Sequence, residues 1–233
     1  MFHFDRAIVL FLNQFAQRSW ALDQLVTLFA TTDIIKGGIF ASFLWWAWFR
    51  TGPAPRRDRE IVVATLAGCA AALFAARYLA LTLPHHARPI ADPTLEFVRP
   101  YGKVRTSLEH WNALPSDHAA LFLGMATGIY LVSKRLGLFT FAYALVVAGL
   151  ARIYLGLHYP SDVIAGAALG VGTVGLAVQE RVRRPLARAV LAWPQRRPAL
   201  FYALFFIVTY QIATLFFGLR TMAAFVVTVL TRS

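Results

Sequence analysis

The sequence is poor in charged residues and in cysteine. Asp, Glu, Lys and Arg make up 15% of its 233 residues, 58% of the residues are hydrophobic, and the mean hydropathy is +0.58. Soluble domains carry about 25% charged residues, so this composition excludes an ordinary soluble domain. The single cysteine, Cys69, lies in an Ala-rich apolar run. An internal disulfide is therefore excluded, and Cys69 is expected to be a small packing residue.

Other signals are missing as well. The first twenty residues lack a basic segment followed by a small-residue cleavage site, so no cleavable signal peptide is expected. No Cys/His cluster has zinc spacing, and we expect neither a metal nor a cofactor. Acidic residues are few, and the net charge is +12. In a membrane protein such an excess reflects basic cytoplasmic loops and contact with anionic lipids, so the expected partner is the bilayer and not nucleic acid.

The sequence is instead rich in long apolar runs. Several approach or exceed the roughly 20 residues that a helix needs to cross a bilayer. They predict an all-α fold, a polytopic membrane helical bundle of about six transmembrane helices with an N-terminal amphipathic interfacial helix. The expected spans are residues 21–49, 61–83, 117–133, 138–155, 162–179 and 199–219.

Four segments are expected along the chain. They are an amphipathic interfacial helix (1–20), a helical core (21–182), a basic cytoplasmic linker (183–198) and a C-terminal transmembrane segment (199–233). The last segment is either one span or a span followed by a surface helix.

One pair of charges lies inside the first expected span. Asp33 and Lys36 are spaced to meet on one helix face, which favours a structural ion pair. A helix break near residues 37–38 is the alternative.

The distribution of basic residues predicts the topology. The turns 50–60, 133–137 and 180–198 are the richest in Lys and Arg, so the positive-inside rule places them in the cytoplasm. The loops 84–115 and 156–161 then lie outside together with the N-terminus. The polar clusters consequently share the extracytoplasmic face of the cell's inner (plasma) membrane.

The stretch "ARIYLGLHYPSD" (151–162) combines Arg152, His158 and Asp162. A carboxylate near a histidine orients the ring and stabilises the imidazolium, and such a histidine acts as a base or a nucleophile. An arginine adds a planar fork of donors that suits phosphate.

The stretch "PSDH" (115–118) opens an apolar run. Alone it is best interpreted as a helix cap. A helix N-terminus also binds anions, however, and here Ser116 and His118 would face it while Arg88 adds a second cation. The clusters together favour phosphoryl transfer without a metal.

At these residues the chain resembles the type 2 phosphatidic acid phosphatase family, integral membrane lipid phosphatases that share a fold core with vanadium haloperoxidases. The family pattern is Lys-x6-Arg-Pro, Pro-Ser-Gly-His and Ser-Arg-x5-His-x3-Asp. Here the three parts read "LTLPHHARP" (81–89), "PSDH" and "ARIYLGLHYPSD", so the resemblance covers roughly residues 20–180. The form "PSDH", the compact length and the short N-terminal helix are similar to the bacterial undecaprenyl-diphosphate phosphatases of that family.

The resemblance implies a role for each matching residue. His158 would attack phosphorus and become a phosphohistidine, and Asp162 would orient and activate it. His118 would protonate the leaving oxygen and then activate water. Arg88, Arg152 and Ser116 would hold the phosphate oxygens.

The chain departs from the family pattern at three positions. Leu81 stands in place of the first lysine, and Arg77 is the first candidate to replace it. A charged arginine inside an apolar span is costly, and a role in the site would explain it. Lys103 and Arg105 are the other candidates. Ala151 replaces the serine before Arg152 and removes one hydroxyl.

The third departure is Asp117, which stands in place of glycine. A carboxylate beside a phosphate needs a cation, and Arg88, Arg99 and Arg105 are candidates for it. Asp117 is thus either a brace for the arginines or a selector for a diphosphate head group.

The first motif also contains His85 and His86. They are expected to be loop residues that face lipid head groups or water, with substrate contact as the alternative.

The implied activity is metal-independent hydrolysis of undecaprenyl diphosphate to undecaprenyl phosphate and phosphate. The first alternative is the same chemistry on phosphatidylglycerol phosphate, phosphatidic acid or lipid A 1-phosphate. The second is a non-enzymatic protein that binds or transports a lipid phosphate. The oligomeric state stays open.

Overall fold

A computed structural model describes residues 2–102 and 111–232. Within these residues every regular element is helical, which confirms the all-α prediction. The helices are α1 (His3–Asn13), α2 (Trp20–Thr31), α3 (Ile39–Phe49), α4 (Pro55–Thr82), α5 (Asp117–Val132), α6 (Lys134–Ala144), α7 (Ala151–Tyr154), α8 (Pro160–Ala177), α9 (Glu180–Leu191), α10 (Trp193–Arg196), α11 (Pro198–Ala213) and α12 (Phe217–Arg232). Two π-helical turns, Ile34–Gly38 and Leu145–Leu150, join α2 to α3 and α6 to α7, and Pro89–Ala91 forms a 3-10 turn.

The expected apolar segments are helical, but they differ in length and in straightness. In the described part of the chain, three helices are long and apolar enough to cross a membrane: α4, Lys134–Tyr154 and α8. Two further candidates are bent pairs, α2 with Ile34–Phe49 at 62° and α11 with Phe217–Val229 at 84°. Helix α5 is apolar but has 16 residues, fewer than a full span needs. The count of about six therefore corresponds to three full spans, two broken ones and one short helix.

The C-terminal third departs from simple expectations in two places. The basic segment 183–198, expected as a linker, is largely helical and forms most of α9 and all of α10. Because α11 and α12 are bent by 84°, the final apolar run is not one straight span.

The predicted Asp33–Lys36 ion pair is present, with Lys36 Nζ 2.9 Å from Asp33 Oδ1. The helix does not break near residues 37–38, because Ile34–Phe49 is continuous, and the 62° bend lies before it, after α2. Lys36 is buried, whereas half of the Asp33 side chain is exposed. The ion-pair interpretation therefore holds, and the bend lies earlier in the chain than the alternative placed it.

Helices α4, α5 and α8 form the centre of the bundle. Gly166 and Gly170 on α8 lie directly against the carbonyl oxygens of Ser116 and Ala120, and a Cβ atom at either glycine would collide with that backbone. This close approach brings the start of α8 onto the start of α5. The motifs "PSDH" and "HYPSD" therefore meet.

The N-terminal helix and the two outer loops share one end of the bundle. The Asp5 carboxylate accepts hydrogen bonds from the backbone N–H and the hydroxyl of Ser161, both at 2.9 Å. The Asn13 amide exchanges hydrogen bonds with the backbone of Val98 at 2.7 and 2.9 Å. We call this the site end.

The basic turns meet at the opposite end. The Arg50 guanidinium pairs with Asp58 at 3.4 Å and donates to the Val132 carbonyl at 3.1 Å. Arg183 pairs with Glu60 at 3.3 Å. The turns after α3 and α5 and the start of α9 thus form one basic face.

Candidate active site

His158 lies in the loop between α7 and α8 and is 2% exposed. Its Nδ1 lies 2.9 Å from the carbonyl oxygen of Ala113. A carbonyl can only accept, so Nδ1 carries the proton and Nε2 keeps a lone pair. Within the described residues His158 Nε2 is buried and has no hydrogen-bond partner. A buried polar atom without a partner is costly and indicates a place for a ligand.

Burial lowers the pKa of His158, and the nearby charges of Arg88 and Arg152 lower it further. The negative charge of Asp162 acts in the opposite direction, but the net shift of the pKa is downward. The imidazole is therefore neutral at neutral pH, which is the form that attacks an electrophile.

Asp162 is close to His158 but does not hydrogen-bond to it. Its Oδ2 is 3.8 Å from His158 Nδ1, beyond hydrogen-bond distance, and accepts the Tyr159 backbone N–H at 2.7 Å in a capping box. Its Oδ1 lies 3.3 Å from Nδ1 of His86, whose ring stacks on Tyr159. The Ala113 carbonyl makes the hydrogen bond to His158 that the sequence suggested for Asp162, and Asp162 acts on His158 through its charge.

The two histidines of the first motif occupy different environments. His85 is exposed, whereas His86 is half-buried against Tyr159 and Asp162. His86 is thus a site residue that the sequence left undecided, and its stacking partner is the residue after His158.

His118 and Asp117 form a pair at the start of α5. Asp117 Oδ1 accepts the backbone N–H of His118 at 2.8 Å and lies 2.7 Å from Nδ1 of its ring. Arg152 Nη2 approaches the same Nδ1 to 3.0 Å. One nitrogen cannot donate to Asp117 and accept from Arg152 at once. The shorter contact, to a carboxylate, favours a proton on Nδ1, which leaves the Arg152 N–H free for a phosphate oxygen.

Asp117 interacts through its charge with Arg88, one of the three arginines expected beside it. Its described hydrogen-bond partner is His118, and the charge of Arg152 also acts on it. Arg105 lies outside the described residues.

Arg152 is buried at the end of the Lys134–Tyr154 helix. Its Nη1 donates to the Ala30 carbonyl at 3.3 Å, and its Nε is a buried donor without a hydrogen-bond partner in the described residues. A guanidinium held in this way has a donor free for an anion.

Arg88 is held by two backbone carbonyls, Leu157 at 2.8 Å from Nη1 and Trp111 at 3.3 Å from Nε. Burial lowers the pKa of its guanidinium, although the nearby Asp117 and Asp162 oppose this shift. Arginine stays protonated in proteins, so Arg88 keeps its charge beside His158.

Ser116 is fully buried and caps α5. Its Oγ accepts the Ala119 N–H at 3.4 Å, and its backbone N–H donates to the Asp162 carbonyl at 3.0 Å. The hydroxyl proton remains available to a ligand at the helix N-terminus.

The structure places Arg77 beside the site. Its guanidinium lies 3.8 Å from the centre of the Trp111 ring, and its charge acts on Arg88. Leu81, at the position of the family lysine, is 74% exposed. Lys103, the other candidate besides Arg105, also lies outside the described residues.

This arrangement suits phosphoryl transfer in an α-helical membrane protein, since a neutral histidine faces buried arginines at a helix N-terminus. Residues 61–185 match the PAP2 superfamily. The match covers more than half of the chain, and the chain belongs to this superfamily, which confirms the family expected from the three motifs.

A 60-residue stretch is 47% identical to the "Bacitracin transport permease protein BcrC" of Bacillus licheniformis. It covers 26% of this chain and 29% of that protein. No solved structure matches the chain significantly.

Proposed function

We propose that the protein is a lipid phosphatase that hydrolyses undecaprenyl diphosphate to undecaprenyl phosphate and phosphate through a phosphohistidine. The observation that carries this proposal is the buried Nε2 of His158, whose lone pair has no hydrogen-bond partner among the described residues. The charges of Arg88 and Arg152 act on the same ring.

In the first step, His158 Nε2 attacks the terminal phosphorus. The N–P bond forms while the P–O bond to the lipid phosphate breaks, and His118, which enters this step as an imidazolium, gives its Nε2 proton to the leaving oxygen while Nδ1 keeps the proton shared with Asp117. Arg88, Arg152 and Ser116 hold the oxygens of the transferred group, whose charge they offset.

In the second step, His118 accepts a proton from water. The hydroxide attacks phosphorus, the N–P bond breaks, and phosphate leaves with His158 restored. The Ala113 carbonyl keeps Nδ1 as the protonated nitrogen in both steps. Asp162 stabilises the positive charge of the phosphohistidine ring through space.

An apolar groove of about 250 Å³ beside the site supports a lipid substrate. It opens between the end of α4 and α8 and reaches Pro115, next to the buried Ser116. Its lining is Leu79, Leu83, Leu114, Pro115, Ala165 and Leu169. The groove takes the first part of a lipid tail while the rest lies in the bilayer.

The proposed site faces the outside of the plasma membrane. The basic turns that meet at the opposite end support this orientation, because such turns are retained in the cytoplasm. The same chemistry on phosphatidylglycerol phosphate, phosphatidic acid or lipid A 1-phosphate is the alternative substrate range.

Transport is the second candidate, since the name of the Bacillus licheniformis relative describes a transport permease. A carrier that only binds a lipid phosphate has no use for a neutral histidine aimed at it. Hydrolysis therefore remains the favoured function.

The test is phosphate release by detergent-purified protein from a panel of these lipids, with EDTA present. We expect turnover with undecaprenyl diphosphate, loss of turnover in His158→Ala, and full turnover in the control His3→Ala, whose side chain is exposed. Turnover that persists in His158→Ala contradicts the mechanism. Lipid binding without hydrolysis by the wild type favours the carrier.

A further inference from the structure

The site has a buried lysine that none of the three motifs contains. Lys36 lies on the π-helical turn Ile34–Gly38, directly after the bend between α2 and Ile34–Phe49. It is 9% exposed, and Asp33, with which it forms an ion pair, is half-exposed. A charged residue within an apolar span is costly and indicates function, particularly near the end that carries the site.

Helix packing places Lys36 at the level of His118. The Phe40 and Phe122 rings stack with their centres 5.0 Å apart, so α3 and α5 are neighbours at these positions. The two helices run in the same direction, because Arg50 after α3 donates to Val132 at the end of α5. Lys36 precedes Phe40 by four residues, about one helical turn.

His118 likewise precedes Phe122 by four residues, and the two rings are in contact. Lys36 and His118 therefore lie one turn toward the site end, on facing helices. Electrostatic interactions agree with this placement: the Lys36 charge acts on His118, and the charges of Arg152 and Asp117 act on Lys36.

The bend itself is held in place. The Tyr143 hydroxyl donates to the Ile35 carbonyl at 2.7 Å, and Arg152 donates to the Ala30 carbonyl at 3.3 Å. The turn that carries Lys36 is thus bound to the same helix that supplies Arg152. A site residue on a braced backbone is positioned before the substrate arrives.

We propose that Lys36 binds the phosphate that leaves with the lipid and thereby selects diphosphates over monophosphates. This inference rests on the proposed function, in which His118 protonates the leaving oxygen. Lys36 lies on the His118 side of the site, so its ammonium is placed for the leaving group. In a diphosphate the leaving group is itself a phosphate that needs a cation, whereas in a monophosphate it is a neutral alcohol.

The test compares two substrates with one tail, farnesyl diphosphate and farnesyl monophosphate. We expect Lys36→Met to lower kcat/KM for the diphosphate about 10- to 100-fold, the effect of one lost charge-assisted hydrogen bond. The loss with the monophosphate should stay below about threefold, and Lys36→Arg should restore most of the diphosphate activity. Lys134→Met, at the opposite end, is the control lysine and should match the wild type.

Equal losses on both substrates, or no loss on either, overturn the proposal while the phosphatase function stands. If Lys36→Met does not purify as a folded protein, Lys36→Gln carries the same comparison. If the wild type hydrolyses neither farnesyl substrate nor undecaprenyl diphosphate, the proposed function fails, and the role of Lys36 is then tested by the binding of inorganic anions. Pyrophosphate should then raise the Tm of the wild type more than phosphate does, and this difference should vanish in Lys36→Met. A difference that persists overturns the proposal.

Discussion

The two ends of the bundle both carry many charges, but they use them differently. At the opposite end, Arg184 and Glu180 form an exposed ion pair one helical turn apart, and the exposed Arg56 pairs with the largely buried Glu60 over the same spacing. Such pairs contribute little to stability. At the site end, His158 and Arg152 are buried, and each has a polar atom without a hydrogen-bond partner in the described chain.

The difference separates a solvated face from a binding site. Leaving a polar atom buried and unpaired costs about 1–3 kcal/mol, so folding alone would not retain several of them together. A phosphate that accepts hydrogen bonds from these groups removes that cost. The unpaired atoms thus mark the site more sharply than the number of charges does.

The site end also contains buried carboxylates whose oxygens all accept hydrogen bonds from the protein. Asp23 accepts hydrogen bonds from the backbone of Tyr101 and Gln17 and from the Tyr154 hydroxyl. Asp5 binds Ser161 in the same way. These carboxylates fasten the N-terminal helix and the long loop around the site rather than face the substrate.

The largest effect among site-end variants other than those of His158 is expected for His118→Ala. Loss of a general acid should lower kcat/KM about 10²- to 10⁴-fold with a lipid diphosphate. The loss should be much smaller with p-nitrophenyl phosphate, whose leaving group needs no proton. The measurement is kcat/KM on both substrates, because it reports the first step and not the second, in which His118 activates water, and equal losses would contradict the acid role.

Asp162→Asn should lower kcat about 10- to 100-fold and should also move the pH profile. Neutral His158 is the active form, so kcat/KM falls as the pH drops through the pKa of His158. That pKa is already below the usual value of about 6.5, and Asp162 raises it. Removing the Asp162 charge should therefore shift the acid limb to a lower pH, whereas a purely structural Asp162 would leave its midpoint unchanged.

Arg77→Leu should have a smaller effect, a few-fold rise in KM. Its guanidinium stacks on Trp111, whose carbonyl helps to hold Arg88, so its influence on the site is indirect. Steady-state kinetics with the same lipid diphosphate measures it. A loss of a hundredfold or more would instead give Arg77 the role of the missing lysine.

The smallest effect is expected at the opposite end. Arg184→Gln breaks an exposed pair and should change stability by no more than about 0.5 kcal/mol, with turnover unchanged. Thermal unfolding in detergent and the phosphate-release assay check this together. A marked loss of turnover would remove the contrast between the two ends.

The sequence predicted the elements of the fold better than their shapes. Apolar runs and basic turns predicted each membrane segment, because length and charge are local properties. The bend before Lys36 is accompanied by a contact between distant segments, the hydrogen bond from Tyr143 to Ile35, whereas the 84° turn after α11 coincides with positive φ angles at Leu215 and Phe216. No local pattern reports such a contact.

The site likewise contains residues that the sequence predicted and groups that only the fold brings together. Motif spacing predicted His158, His118, Asp162 and Arg152, and the structure brings all four to one end of the bundle. Motif spacing did not predict the Ala113 carbonyl that fixes the His158 tautomer. Every residue has a carbonyl, and only the fold places this one beside His158. The sequence related Lys36 to an ion pair or a helix break and not to the site, since its distance from His118 depends on the packing of α3 against α5.

The most direct test of the account is to trap the phosphoenzyme. Wild-type protein is mixed with a diphosphate lipid labelled in the terminal phosphate, quenched within milliseconds and digested for mass spectrometry. We expect label that is stable to alkali, labile to acid and located on His158, with more label in Asp162→Asn if that change slows the second step more than the first. Turnover without label on His158, or label on His118, would contradict the central role given to the buried Nε2 of His158.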